Sequence, residues 1–259
     1  MKSFREALEK GPAQLGVLVM YPAPGAVERI GPDWDWMWID GQHGELGYAD
    51  ILAMVRACDL VQKPAFVRVP WLDAGQIGLA LDTGACGVIV PCVGTVADAR
   101  ACVAAAKFPP LGGRSYGARR PIDLGGRLYS DRANAETLLV AQIETPEGVE
   151  NADAIAAVPG VDALFVGPDD LRLRRGLPMN APHTVESVRA DLEAVIGACK
   201  RHGKVGVMVG MDPEILKFSL ALGYRMMVCG GDVPFLASGS KQAAAAARAI
   251  VQASTASRP

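Results

Sequence analysis

The stretch WMWIDGQHGE, residues 36–45, closes an apolar run with Asp40 and presents His43 three residues later. The chain has only three histidines. A carboxylate beside an imidazole can orient it and raise its basicity, which is the arrangement of a proton shuttle. Further on, FVRVP sets Arg68 among Phe66, Val67, Val69 and Pro70; a guanidinium there can fork a substrate carboxylate. In AQIE, Gln142 and Glu144 alternate with Ile143 and so share one side of a strand. A buried Glu144 needs a partner or a cation. GPDDL, Gly167 to Leu171, adds Asp169 and Asp170. Glu144 and Asp170, from neighbouring strand ends, suit a hard divalent cation. Magnesium takes one or two protein carboxylates and fills the rest of its shell with water and substrate oxygens, and manganese or cobalt can substitute. Zinc is disfavoured, because no cysteine or second histidine reads as near. Each residue also has an ordinary use: Asp40 can cap a loop, His43 can sit satisfied in one, and Asp169 or Asp170 can cap a helix. Their joint placement at the ends of apolar runs is what points to a site.

Covalent imine chemistry needs a lysine in that site. Lys204 begins a predicted strand, and the other lysines fall on predicted helices or their flanks. Metal-assisted chemistry is left.

The elements that must position these groups are eight apolar runs of strand length, at 14–20, 36–40, 65–69, 87–91, 138–144, 162–166, 204–209 and 224–229. They are nearly continuous in Val, Ile, Leu and Met, which suits parallel strands covered on both faces. Helical patterns lie between them, including 95–106 and 184–202. Thr95 and Thr145 read as N-caps, Thr184 with Ser187 as an imperfect capping box, and Pro146 sits at a first helical position. Eight such units in 259 residues predict one domain, a (β/α)8 barrel over 1–259. A doubly wound open sheet is the runner-up, weakened because no G-x-G-x-x-G follows a strand. Chemistry in a parallel barrel sits at the strands' C-terminal ends, where Asp40, Arg68, Glu144 and the GPDDL turn fall.

Residues 107–131, rich in Gly, Pro and Arg, read as a long loop. It is a candidate lid or aldehyde-side wall through Arg114, Tyr116, Arg119 and Arg120, or else a subunit contact. The last residues, ASTASRP, read as a frayed tail. Residues 1–11 read as an amphipathic helix, because no apolar core of a signal peptide is present. Net charge is −2 with no basic or acidic block, which favours neither nucleic acid nor a membrane surface. The six scattered cysteines form no C-x-x-C pair and read as reduced, buried thiols of a cytoplasmic protein.

The motifs WIDGQHG, VRVP, PPLGGRSYG, QIETPEGVEN, GVDALFVGPDDL and ALGYRMMVCGGD resemble, in order and spacing, those of the HpcH/HpaI family of class II pyruvate aldolases. The resemblance spans about residues 12 to 250. It implies a TIM barrel of the phosphoenolpyruvate/pyruvate superfamily, a last helix exchanged between subunits, and hexamers built as dimers of trimers. It implies a divalent metal on Glu144 and Asp170, with pyruvate held by Arg68 and Gln142. The backbone N–H groups of the Gly167–Pro168–Asp169 turn would receive the pyruvate carboxylate, and His43 with Asp40 would form an acid/base dyad. Asp82 matches an aspartate near a subunit contact, or caps its own helix. The implied reaction is reversible cleavage of a 4-hydroxy-2-oxo acid to pyruvate and an aldehyde. Oxaloacetate decarboxylation or other enolate chemistry, a citrate-lyase-β-like activity and a non-catalytic oxo-acid binder are the alternatives. The chain departs from the family pattern twice. Gln42 stands where a Glu is frequent, and Arg172, Leu173, Arg174 and Arg175 follow GPDDL where a small residue is usual. The arginines either favour anionic substrates or form a solvated helix face.

Overall fold

In the computed structural model, which describes residues 4–256, eight parallel strands close into a barrel in chain order. They are β1 (Gln14–Val19), β2 (Trp36–Asp40), β3 (Ala65–Arg68), β4 (Gly87–Val90), β5 (Leu138–Ile143), β6 (Ala163–Val166), β7 (Val205–Val209) and β8 (Met226–Gly231). Each predicted strand is present, its ends within two residues of expectation.

The apolar runs do not alternate because both faces of each strand are covered. Trp36, Trp38, Phe66, Ile89, Val140, Phe165, Val207 and Val228 fill the barrel interior. Met37, Ile39, Val67, Val88, Leu139, Leu164 and Met208 pack outward under the helices. Aromatic rings do much of the filling, with Trp36 edge-on to Phe66 at 5.5 Å and Trp38 edge-on to Phe165 at 5.1 Å. A Cβ at Gly16 would lie 2.2 Å from the Trp36 ring, so β1 admits that indole only with glycine there. The helix Phe4–Lys10 closes the lower end of the barrel with Phe4 and Leu8. Losing Trp36 from such a core costs about 3–5 kcal/mol.

The predicted caps form. Thr95 accepts from Asp98 N at 3.1 Å, Thr145 from Gly148 N at 2.9 Å, and Thr184 from Ser187 N at 3.2 Å. Ser187 Oγ in turn accepts from Thr184 N, so that capping box is complete. The expectation of an unstructured loop over 107–131 is corrected. Helices run at Arg119–Gly125 and Tyr129–Glu136, and Phe108, Tyr129 and Ala133 form a small core of their own. The tail is corrected too: the helix Asp232–Ala256 carries through ASTA, and the final Ser257, Arg258 and Pro259 lie outside the described residues. Among the described residues no helix is long and apolar enough to cross a membrane.

Candidate active site

At the C-terminal ends of the strands a cavity of about 360 Å³ is lined by Trp38, Asp40, His43, Arg68, Gln142, Gly167, Pro168, Asp169 and Asp170. Of the residues expected at the site, Asp40, His43, Arg68, Gln142, Gly167, Pro168, Asp169 and Asp170 line this cavity, while Glu144, one residue past β5, is not among the lining residues. The floor is the topmost interior layer, Trp38 and Phe165.

The β2–β3 register puts Asp40 opposite Arg68. The guanidinium forks the carboxylate, Nε to Oδ1 at 2.8 Å and Nη2 to Oδ2 at 2.6 Å, and both side chains are buried. Arg68 also lies over the Trp38 ring, 4.5 Å from its centroid. Asp40 Oδ1 further accepts from the backbone N–H groups of Gln42 at 3.0 Å and His43 at 3.4 Å. The expected Asp40–His43 dyad is therefore altered. Among the described residues no hydrogen bond joins the two side chains; Asp40 holds the His43 backbone and Arg68, while the exposed imidazole is left toward the cavity.

From Arg68 the polar contacts continue across the barrel. Nη1 reaches Gln142 Oε1 at 3.5 Å, and Gln142 Nε2 donates to Glu144 Oε2. Glu144 Oε1 accepts the backbone N–H of Cys92 at 2.7 Å and its thiol at 3.0 Å. Burial, reinforced by Glu144, pushes the Cys92 thiol up to about 12, so it remains an S–H donor. This cysteine overturns the expectation that none lies near the carboxylates. It follows β4 in PCVG, a strand end with no charged residue to mark it.

Glu144 is 2% exposed. Among the described residues no Lys, Arg or His nitrogen comes within 4 Å of its carboxylate. A buried carboxylate with only neutral donors is the costly case that a cation resolves. Asp170 lines the cavity from the helix Pro168–Arg174. Gly167 brings that helix close: a Cβ there would lie 2.7 Å from Glu144 Cβ and 2.9 Å from Oε2. Two carboxylates on adjoining strand ends, one of them buried without a cation and the other at a cavity, fit a hard divalent ion. No group of three or more His, Cys, Asp or Glu side chains with metal-site spacing occurs among the described residues.

The Gly167–Asp169 turn offers fewer donors than expected. Gly167 N–H is used by Ile143 O at 2.9 Å, and Pro168 has none. Asp169 N–H, in the helix's first turn, has no acceptor among the described residues. The Asp169 carboxylate meets His183 Nε2 at 2.7 Å, a contact across a loop that sequence reading did not find.

The segment 107–131 does not reach this cavity within one copy of the chain. Arg114 pairs with Asp82 at 2.8 Å, Arg120 with Asp59 at 2.5 Å and Arg119 with Asp123 at 2.6 Å, while Tyr116 donates to Arg127 O. Asp82, the last residue of its helix, thus holds an arginine and caps nothing.

Residues 27–238 match the HpcH/HpaI aldolase/citrate lyase family. The chain belongs to that family. Its HpcH/HpaI relatives include a 4-hydroxy-2-oxovalerate aldolase from Novosphingobium aromaticivorans, 43% identical over 68% of this chain and 69% of that one. A 4-hydroxy-2-oxo-heptane-1,7-dioate aldolase from Shigella flexneri is 32% identical over 94% of this chain and 92% of its own length. Among solved structures, an HpcH/HpaI aldolase/citrate lyase family protein from Burkholderia cenocepacia J2315 superposes with a TM-score of 0.84 at 30% identity, covering 95% of this chain and 98% of that one. As a member of this family of aldolases, the chain is a carbon–carbon lyase.

Proposed function

We propose that this HpcH/HpaI member is a divalent-metal-dependent aldolase that reversibly cleaves a 4-hydroxy-2-oxo acid to pyruvate and an aldehyde. The observation that carries the reading is Glu144, a buried carboxylate with no cationic partner among the described residues, packed against the Gly167 turn whose helix brings Asp170 into a cavity that also holds the Arg68 guanidinium. Glu144 and Asp170 would hold magnesium, manganese or cobalt, which when bound supplies positive charge to offset the charge growing on the keto oxygen.

The chain's own residues do the rest. Arg68 spends two N–H groups on Asp40 and one on Gln142, leaving two of its five for the oxo acid. Because Asp40 and Trp38 hold the guanidinium rigid, it needs no reorganisation as charge develops. Gln142, held between Arg68 and Glu144, keeps the two charged groups apart and in register. Asp169 N–H, without an acceptor among the described residues, would take a carboxylate oxygen. His43, its backbone held by Asp40, accepts the C4 hydroxyl proton directly or through one water. The C3–C4 bond then breaks with its electron pair left on C3, which takes a proton to become the pyruvate methyl group, while C4 becomes the aldehyde carbon.

We further infer that a second copy covers the C-terminal helix. Over Asp232–Ala256 it leaves Leu236, Ile250 and Val251 more than half exposed, an apolar stripe that a lone chain would show to water. A hexamer of two trimers is the assembly that the family resemblance implies.

The deciding experiment is pyruvate release from a panel of 4-hydroxy-2-oxo acids with magnesium or manganese, and again after chelation. Chelator-sensitive release supports the proposal. Undiminished release from fully demetallated protein would overturn the metal-dependent mechanism, and metal binding without turnover of any compound would favour a decarboxylase or a binder.

A further inference from the structure

The three arginines after the acidic pair have different fates. Arg172 is buried and donates to the carbonyls of Ala181 and Pro182. Arg175 forks Asp191 with two bonds of 2.6 Å. Both hold the segment 176–191 to its helix. Arg174 is left over. Its side chain is 41% exposed, its Nη2 stands 3.6 Å from Cys92 Sγ and 3.9 Å from Asp170 Oδ1. Neither contact satisfies a guanidinium: sulfur is a weak acceptor, and 3.9 Å is beyond hydrogen-bond range. Yet the position is specific. Cys92 hangs 3.0 Å from Glu144 and Asp170 lines the cavity. Arg174 does not itself line the cavity, but it stands next to Asp170, which does, and to Cys92, which bonds Glu144, with most of its donors unused.

We propose that Arg174 receives a carboxylate carried by the carbonyl partner of the aldol reaction, so that the preferred substrates are 4-hydroxy-2-oxo dicarboxylic acids. The inference rests on the aldolase reading and narrows it. An anionic partner entering this cavity passes Asp169 and Asp170, and among the described residues the only basic side chains lining it are Arg68 and His43. Arg68 is already committed to Asp40 and the oxo-acid end. A second carboxylate needs a second cation, and Arg174 supplies it with a planar fork suited to bidentate contact. In the reaction the C4 hydroxyl proton leaves, the C3–C4 pair stays on C3, which takes a proton to become the pyruvate methyl group, and C4 becomes the carbonyl of an oxo acid that keeps the second carboxylate, glyoxylate in the case of 4-hydroxy-2-oxoglutarate. If Arg174 served only as the helical partner of Asp170, it would confer no such preference.

The test compares cleavage of 4-hydroxy-2-oxoglutarate with that of 4-hydroxy-2-oxopentanoate, for the metal-loaded wild type, R174Q and R174K. Calorimetric titration with 2-oxoglutarate, which has the second carboxylate but no C4 hydroxyl, gives a binding readout. In R174Q the ratio of kcat/KM for the dicarboxylate over the monocarboxylate should fall about 10- to 100-fold, mainly through KM, and 2-oxoglutarate affinity should fall in step. R174K should recover part of both. A ratio within twofold of wild type in R174Q overturns the proposal. A wild type that cleaves no acid of the wider panel, yet binds 2-oxoglutarate through Arg174, would overturn the aldolase reading and leave the anion assignment standing. Binding indifferent to R174Q in such a protein would overturn both.

Discussion

Asp40 and Arg68 face one another across the β2–β3 pair and are joined by two hydrogen bonds of 2.8 and 2.6 Å. The carboxylate is fully buried and the arginine 7% exposed. Removing one partner of such a pair strands the other charge, which typically costs 3–5 kcal/mol. Asp40→Ala should therefore destabilise the chain by about 3 kcal/mol or more and raise KM for the oxo acid, read from urea denaturation midpoints and steady-state kinetics. An unchanged midpoint would mean that the guanidinium has found other partners.

Gly167 has no room for a methyl group, since the new carbon would press on both Glu144 and Gln142. Gly167→Ala should shift the helix Pro168–Arg174 outward. Overpacking of this kind costs about 1–3 kcal/mol, but separating Asp170 from Glu144 should cost about 100-fold in kcat/KM, in line with a misplacement of an ångström. Thermal melts and pyruvate-release assays on the same preparation separate the two effects. A variant with near-normal turnover would refute the crowding argument.

If Glu144 is a metal ligand, manganese should stabilise the folded chain. At a free concentration of 100 Kd the gain is about 2.7 kcal/mol, visible as a rise in Tm. Glu144→Gln keeps the hydrogen-bonding shape but should abolish that rise together with metal-dependent turnover. A Tm increment equal to that of the wild type would place the metal elsewhere.

The thiols of Cys58, Cys102 and Cys199 are fully buried, and burial pushes each up to about 12. An unfolded cysteine titrates near 9. The folded state thus holds these protons where the unfolded chain releases them. The contribution is intact below pH 9 and declines as pH rises from 9 toward 12, at up to about 1.4 kcal/mol per pH unit for each thiol. Urea midpoints should be level between pH 7 and 8.5 and fall by pH 10.5, and the fall should be shallower in Cys58→Ala than in the wild type. An equally steep fall would assign the alkaline loss to other groups.

The apolar stripe of the C-terminal helix should be covered in solution. Light scattering at micromolar concentration should report a species several-fold heavier than 27.2 kDa, and Ile250→Glu with Val251→Glu should shift it toward the monomer. A monodisperse wild-type monomer would remove the proposed contact.

The barrel was legible because a parallel strand covered on both faces announces itself as a continuous apolar run, and eight such runs leave few architectures. Gln142 and Glu144 were legible for a related reason: two polar residues at alternate positions of one strand must face the same way. Asp40 and His43 are close along the chain, but that closeness fixes only the His43 backbone and not a contact between the two side chains. The partner Asp40 actually takes, Arg68, is 28 residues away and is chosen by strand register. Cys92 escaped notice because its thiol becomes a site group only once β4 and β5 lie side by side. In 107–131 the glycines and prolines outweighed a weak helical pattern, and the aromatic contacts that fix those helices, such as Phe108 on Tyr129 at 5.6 Å, are tertiary.

The run of polar contacts from Asp40 through Arg68, Gln142 and Glu144 to Cys92 ties four strands together, and each inner member answers to two neighbours. That interdependence divides the mouth into a part resistant to change and a part open to it. A substitution at Gln142 must be matched at both Arg68 and Glu144, whereas Met20, Met211 and Arg174 stand at or beside the mouth with no such obligations. Anyone retargeting the catalyst toward a new aldehyde should randomise those three positions and leave the inner row alone.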